Sequence, residues 1–337
     1  MRVKLCSAPS RFGTNIRGCE NAPDKLLSMG LCEIILKHGH ILESYGRVFY
    51  DDVKSLKKSE TNKWLKCGED YTKSRILNFS DLICFNRILA SKALEITAGN
   101  DFAIFLGGDH SISIGTIRGV LKNHPNTAVI WMDAHDDTST PNNSTSRNAH
   151  GMAAMALMSA GSIEDKFYNA LCNPLESDKI DPLKGENIFF LGLRWFELVI
   201  NGKQQRAAYY GNNVALPNIE DRTLYLRTAD EIRRLGFEQV VSEINEKLDK
   251  RGIDRIHLSL DIDILDKAFV LKTGTPVSDG LDVYTLKLFL SAFARSGKLR
   301  SMDIVELNPE INKELDKDDK TERVVLELLE VIFMNLT

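Results

Sequence analysis

The stretch AVIWMDAHDD, residues 128 to 137, decides how this chain folds. Ala128–Met132 is a short apolar run without a polar interruption, the pattern of a strand covered on both faces. It stops abruptly at Asp133-Ala134-His135-Asp136-Asp137, where ionisable side chains crowd. Working outward, the same event recurs. Ala103–Leu106 runs into Gly107-Gly108-Asp109-His110-Ser111, Ile256–Leu260 into Asp261-Ile262-Asp263, and Met302–Glu306 ends on a carboxylate. Val3–Ala8 and Asn187–Leu191 are two further runs of this kind. Between them lie helical candidates at Phe79–Ala98, Gly151–Ser159, Ala229–Arg251, Tyr284–Arg295 and Glu322–Asn335. In the last, Arg323, Glu327 and Glu330 fall at i, i+4, i+7 and leave a narrow polar stripe on an otherwise buried helix. Strands alternating with helices predict an α/β fold, a three-layer α/β/α sandwich around a mostly parallel sheet.

The rest of the chain fits one soluble domain over residues 1–337. Lys+Arg total 43 and Asp+Glu 47, a net charge of −4, so a nucleic-acid surface is not the dominant feature. With 43% hydrophobic and 27% charged residues the composition is neither disordered nor membrane-like. The opening MRVKLCSAPSRF has no apolar core before a cleavage site, which predicts a cytoplasmic protein that does not engage a membrane. The six cysteines are scattered without CxxC spacing and read as reduced core thiols. Two segments read as loops: Asp51–Ser74, charged and lysine-rich, and Phe196–Arg227, long enough to carry a lid or insertion.

In an open parallel sheet, ligands bind outside the carboxyl ends of the strands, where these polar clusters fall. In Asp133-x-His135-x-Asp137 the side chains alternate with period two, so an extended backbone would point all three one way, and Asp261-x-Asp263 repeats the pattern. Crowded carboxylates repel one another unless cations neutralise them. With His110 the set is four Asp and two His without a thiolate, suited to a hard or borderline divalent metal such as Mn²⁺. That is more ligands than one ion with an open position needs, and two ions sharing carboxylates would use them all. An EF-hand fails, because the sixth and twelfth positions from Asp261 are Asp266 and Lys272. Gly107, Gly108 and Gly115 do not make a nucleotide loop. His38 and His40 read as surface residues, and His124 and His257 as lacking acidic partners of matching spacing.

Together these residues resemble the arginase/agmatinase (ureohydrolase) family, and within it the arginases. The carrying motifs are GGDHS at Gly107–Ser111, DAHDD at Asp133–Asp137, SLDID at Ser259–Asp263, GTPV at Gly274–Val277 and ELNP at Glu306–Pro309. Arg17-Gly18-Cys19-Glu20 with Pro23 is similar to the family's N-terminal loop. The resemblance implies an arginase-like fold and a binuclear manganese hydrolase that cleaves the guanidinium of L-arginine to L-ornithine and urea, by attack of a metal-bridging hydroxide. It implies one ion on His110, Asp133, Asp137 and Asp261 and a second on His135, Asp133, Asp261 and Asp263. It further implies His150, Glu306 and Asp137 as the catalytic set, with Glu306 also orienting the guanidinium and His150 moving a proton to the leaving amine. Ser146, Asn148 and Thr275 match substrate-binding positions. Two departures stand beside them: Ser139 replaces an Asn, and Trp195 and Glu197 replace an aspartate pair, leaving Glu197 to meet an α-ammonium. The alternative readings are an agmatinase or other guanidino-acid hydrolase, and a non-catalytic relative. A small-molecule substrate and a homotrimer or homohexamer are the partners implied.

Overall fold

The structure is a computed structural model. It describes residues 1–66, 70–159, 165–175, 181–200, 203–208 and 224–337. Ten strands are present among these: β1 (Arg2–Ala8), β2 (Ile41–Arg47), β3 (Phe102–Gly107), β4 (Thr127–Met132), β5 (Ile188–Leu193), β6 (Trp195–Ile200), β7 (Lys203–Ala208), β8 (Tyr225–Thr228), β9 (Arg255–Asp261) and β10 (Leu299–Val305). Eight form one parallel sheet in the order β2-β1-β3-β10-β9-β4-β5-β8, and β6 and β7 pair separately as an antiparallel hairpin.

The helices are α1 (Ala22–Ser28), α2 (Leu31–Lys37), α3 (Tyr50–Lys66), α4 (Phe79–Ile96), α5 (Ile112–Asn123), α6 (Ala153–Ser159), α7 (Lys166–Cys172), α8 (Ala229–Leu235), α9 (Phe237–Lys250), α10 (Val283–Arg295) and α11 (Lys320–Asn335). They split into two layers. Ala128, Ile130 and Met132 pack with α1, α2 and α8–α11, while Val129 and Trp131 pack with α3–α7. Successive side chains of a strand point to opposite faces, so a sheet covered on both sides needs strands that are largely apolar on both faces. The expected three-layer α/β/α sandwich is therefore the observed one.

The differences from the sequence reading each have a physical reason. Asp51–Ser74 is not a loop: α3 occupies most of it, carrying lysines outward and burying Val53 and Glu60. Phe196–Arg227 contains β6, β7 and β8, so it is not simply a long loop, and residues 201–202 and 209–223 lie outside the described residues. The single helix expected at Ala229–Arg251 is two, broken at Gly236, whose φ of 85° departs from helical geometry. Thr228 and Glu231 start the first of them with a reciprocal capping box. β2 was not expected because it is an edge strand with an exposed, polar sequence. Helix α5 escaped notice for the opposite reason. Ile112–Val120 are all buried, which erases the amphipathic period. In α11, Arg323 and Glu327 are exposed and Glu330 is partly exposed, as expected.

The four central strands β3, β10, β9 and β4 are neighbours, and their carboxyl ends lead into His110, Glu306, Asp261 and Asp133 respectively.

Candidate metal centre and active site

The site begins where β3 ends. A Cβ on Gly108 would lie 1.8 Å from the Ser10 carbonyl oxygen, so only glycine permits this approach. Asp109 then turns away from the centre and organises the loop. Its Oδ2 accepts from Ser10 Oγ at 2.8 Å and Gly13 N at 3.2 Å, and its Oδ1 from Ser111 N at 3.0 Å. That leaves His110 to face the ends of β4 and β9.

The convergence of the acidic residues does not come from extended backbone, as the period-two spacing suggested. β4 stops at Met132, residues 133–135 form a bend, and Asp137 has a left-handed φ of 49°. Asp261 is the last residue of β9, and Asp263 sits in a short 3-10 turn at Ile262–Ile264. Carboxylates capping backbone amides hold both bends. Asp133 Oδ1 accepts from His135 N at 2.7 Å, Asp261 Oδ1 from Asp263 N at 2.8 Å, and Asp263 Oδ1 from Ala134 N at 3.1 Å.

The result is two ligand groups sharing one carboxylate. His110, Asp133 and Asp137 form the first, and Asp133, His135 and Asp263 the second. His110 Nδ1 lies 3.0 Å from Asp133 Oδ2, 3.0 Å from Asp137 Oδ2 and 3.4 Å from Asp261 Oδ2. His135 Nδ1 lies 3.1 Å from Asp263 Oδ2 and 3.4 Å from Asp133 Oδ1. These residues fit a divalent cation on a geometric observation. His110 Nδ1 is buried and, although oxygens surround it, none meets it in hydrogen-bond geometry. Its ring is stacked on Trp131 at 4.3 Å, and Ser259 Oγ sits 2.9 Å from Nε2. A ring oriented from its far nitrogen, with the near nitrogen aimed into carboxylates, is how a histidine meets a metal.

The electrostatics agree. Burial opposes a charge on His110, but Asp133, Asp137 and Asp261 prevail and hold its pKa well above the ordinary value. Burial likewise opposes His135, which Asp263 and Asp133 raise. Among the acids, burial and then the charges of Asp263 and Asp133 push Asp261 well up. Burial and the charge of Asp133 push Asp137 up to about 7. Asp133 moves the other way: burial would raise it, but His110 and His135 together lower it. A field that draws protons onto histidines and carboxyls draws a dication more strongly, and binding the dication releases those protons.

Beside this centre stands Glu306, just past β10 with a φ of 64°. Its Oε1 accepts from His110 N at 2.8 Å and lies 3.0 Å from His150 Nδ1. Burial opposes a charge on His150, yet the Glu306 carboxylate outweighs it and lifts the imidazole to about 9.

The remaining expected site residues fall as follows. Thr275 donates through Oγ1 to Asp263 Oδ2 at 3.1 Å, so it braces a carboxylate of the centre. Ser139 N donates to Gly151 O at 2.9 Å. Ser146 is exposed, 3.3 Å from Ser144 Oγ, and Asn148 is buried near the same turn. The Glu197 side chain lies outside the described residues.

Several residues were missed. Arg194 donates to Gly192 O, Ile264 O and Asp263 O and so clamps the turn that carries Asp263. It follows a strand without a motif of its own, so only the fold reveals it. His257 does have an acidic partner: the buried Asp303 lies 3.2 Å away on the neighbouring strand. Sequence spacing cannot show a pair made across β9 and β10. His40 is buried, with Nε2 2.7 Å from Phe333 O, and His38 is partly buried against Glu330, so neither is a free surface residue.

An open parallel sheet whose central strands deliver histidines and carboxylates to one end defines a metal-dependent α/β enzyme. The model of the Arginase family matches residues 1–334. An arginase of Entamoeba histolytica is 31% identical over 320 residues, covering 93% of each chain. The Bacillus subtilis arginase is 30% identical over 330 residues, covering 97% of this chain and 96% of its own. Among solved structures, the Entamoeba histolytica arginase in complex with L-ornithine superposes with a TM-score of 0.75 at 27% identity, covering 98% of this chain and 97% of that one. This chain belongs to the arginase family, and it is a metal-dependent ureohydrolase of the arginase type. Among the described residues no helix is long and apolar enough to cross a membrane.

Proposed function

We propose that this protein hydrolyses L-arginine to L-ornithine and urea with two Mn²⁺ ions, as one cytoplasmic domain that assembles into a homotrimer or homohexamer. The observation that carries the reading is the pair of ligand groups sharing Asp133, set beside the Glu306–His150 pair. The first ion would be held by His110, Asp133, Asp137 and Asp261, and the second by His135, Asp133, Asp261 and Asp263. When bound, the ions supply the Lewis acidity that makes a hydroxide nucleophile available near neutral pH.

The chain's own residues do the rest. Glu306 has Oε1 committed to His110 N and His150, while Oε2 makes no hydrogen bond among the described residues. That oxygen accepts from the guanidinium in a charge-assisted hydrogen bond and fixes the reacting carbon. His150, kept protonated by Glu306, delivers a proton from Nε2 to the amine as the C–N bond breaks. Nδ1 stays on Glu306 and the ring does not turn. Asp137 serves the first ion and lies close enough to His150 for its charge to favour the imidazolium. Ser139, Ser146, Asn148, Glu197 and Thr275 are the residues we assign to the amino-acid end of the substrate. The relative solved with L-ornithine supports an α-amino acid there.

The test is urea release by Mn²⁺-loaded protein offered L-arginine, agmatine and 4-guanidinobutyrate separately. Preference for L-arginine is expected. Preference for either of the others would overturn the substrate while keeping the metal chemistry. No urea from any of them, with metal bound, would overturn the reaction.

A further inference from the structure

The first loop of the chain, from Ser10 to Gly18, is fastened to the site at four places. Gly13 N donates to Asp109 Oδ2 at 3.2 Å, and Gly13 O accepts from His150 N at 3.0 Å. Asn148 Nδ2 donates to Asn15 Oδ1 at 3.3 Å, and Asn308 Nδ2 donates to Arg17 O at 2.9 Å. A Cβ on Gly274 would meet Ile16 Cδ1 at 3.4 Å and Glu306 Oε2 at 3.7 Å. The loop and the uncommitted oxygen of Glu306 therefore face each other across Gly274.

Asn15 is exposed, and its carboxamide is tied to a site side chain. With Oδ1 taken by Asn148, its Nδ2 makes no hydrogen bond among the described residues. Asn148 is the complement: it is 6% exposed, it donates through Nδ2, and its Oδ1 has no partner. The two joined carboxamides thus offer one open acceptor and one open donor group side by side. A buried amide oxygen without a partner is destabilising, and a ligand donor relieves it.

We propose that Asn15 is a specificity-determining residue. With Asn148 it forms a two-carboxamide clamp for the head group of an α-amino acid. The ammonium donates to Asn148 Oδ1, and the carboxylate accepts from Asn15 Nδ2. Opposite charges on adjacent groups match an acceptor next to a donor, and a guanidino compound with a bare amine or a bare acid satisfies only one of them. This inference rests on the reading of L-arginine as substrate and names the residue that recognises its amino-acid end.

The test uses the Mn²⁺-loaded full chain with Asn15→Ala and Asn15→Asp. For each, KM for L-arginine is compared with the inhibition constant of agmatine, which carries the guanidinium but no α-amino-acid head. One lost hydrogen bond to a charged group predicts about a tenfold rise in KM for Asn15→Ala. Asn15→Asp, which sets a carboxylate against the substrate's own, raises it further. The agmatine constant moves by less than about twofold, because that ligand has no carboxylate to accept from Asn15 Nδ2. Equal rises for both ligands would mean a general loosening of the loop and would overturn the inference, as would an unchanged KM for L-arginine in both variants. A wild-type protein that releases no urea from L-arginine overturns the underlying reading instead, and it does so before any variant is made.

Discussion

Replacing Asp261 by Asn separates what that carboxylate does without metal from what it does with it. Its Oδ1 accepts from Asp263 N at 2.8 Å, its Oδ2 lies 3.4 Å from His110 Nδ1, and it is 3% exposed. Burial, then the charges of Asp263 and Asp133, raise its pKa well above the ordinary value. A carboxyl raised in this way keeps a proton in the folded state that the unfolded chain has released. Metal-free stability contributed by this group therefore falls as pH rises above the usual carboxylate range. Asn is the shape of the protonated acid, and its Oδ1 still accepts from Asp263. The metal-free variant should melt no lower than wild type at about pH 7, and it should lose less stability between about pH 5 and about pH 8.

With metal the order reverses. If Asp261 serves both ions as proposed, its loss weakens binding on the order of a hundredfold, which removes about 2.7 kcal/mol of ligand stabilisation. Unfolding entropy of about 2.1 cal/mol/K per residue over 337 residues gives roughly 0.7 kcal/mol per degree. The metal-induced rise in melting temperature should therefore shrink by about 4 °C. Calorimetry with and without Mn²⁺, together with bound metal measured by atomic emission, reads both halves. A variant that keeps the full rise and the full metal content would refute a shared ligand at Asp261. A metal-free variant that melts several degrees lower would refute the protonated acid.

Glu306→Gln keeps an acceptor for His110 N but loses the charge proposed to meet the guanidinium, so kcat/KM should fall by about a hundredfold or more. In the same variant without metal, NMR titration should find His150 well below its value of about 9, because the Glu306 charge is the leading influence raising it. Lys272 is 2% exposed and donates to both oxygens of the fully buried Glu322, at 2.8 and 3.0 Å. Lys272→Met should cost about 3–5 kcal/mol by stranding that carboxylate, or roughly 4–7 °C of melting temperature. Lys272→Met combined with Glu322→Leu should recover most of it, and a double variant that melts as low as the single one would refute the stranded charge as the cause.

The candidate ligand residues were legible in the sequence because each lies at or within a few residues of the end of a buried strand, and a parallel sheet carries every such end to one side. The composition of the set, carboxylates and imidazoles without thiolates, pointed to a hard or borderline divalent metal for the same local reason. Strands β3 and β4 were legible because a strand covered on both faces is apolar at nearly every position, whereas β9 and β10 bury polar residues, His257 and Ser259 on one and Ser301 and Asp303 on the other, among apolar ones. Helix α3 and strand β2 were not, since both lie at the surface and carry the polar composition of loops.

The sequence by itself determined the class of the fold, six of the eight strands of its sheet and the identity of the residues at the carboxyl ends of the central ones, all properties of segments a few residues long. The tertiary structure alone decided how those residues meet. The alternation of Asp133, His135 and Asp137 is legible in one dimension, yet the bend at residues 133–135 and the left-handed Asp137 are what bring their side chains together. Only folding sets Ser259 behind His110, Asp303 against His257, Arg194 under the Asp263 turn and Asn15 on Asn148. Those partners are separated along the chain by tens of residues to more than a hundred. Their pairing depends on strand order and loop closure, for which no local pattern of residues is a signal.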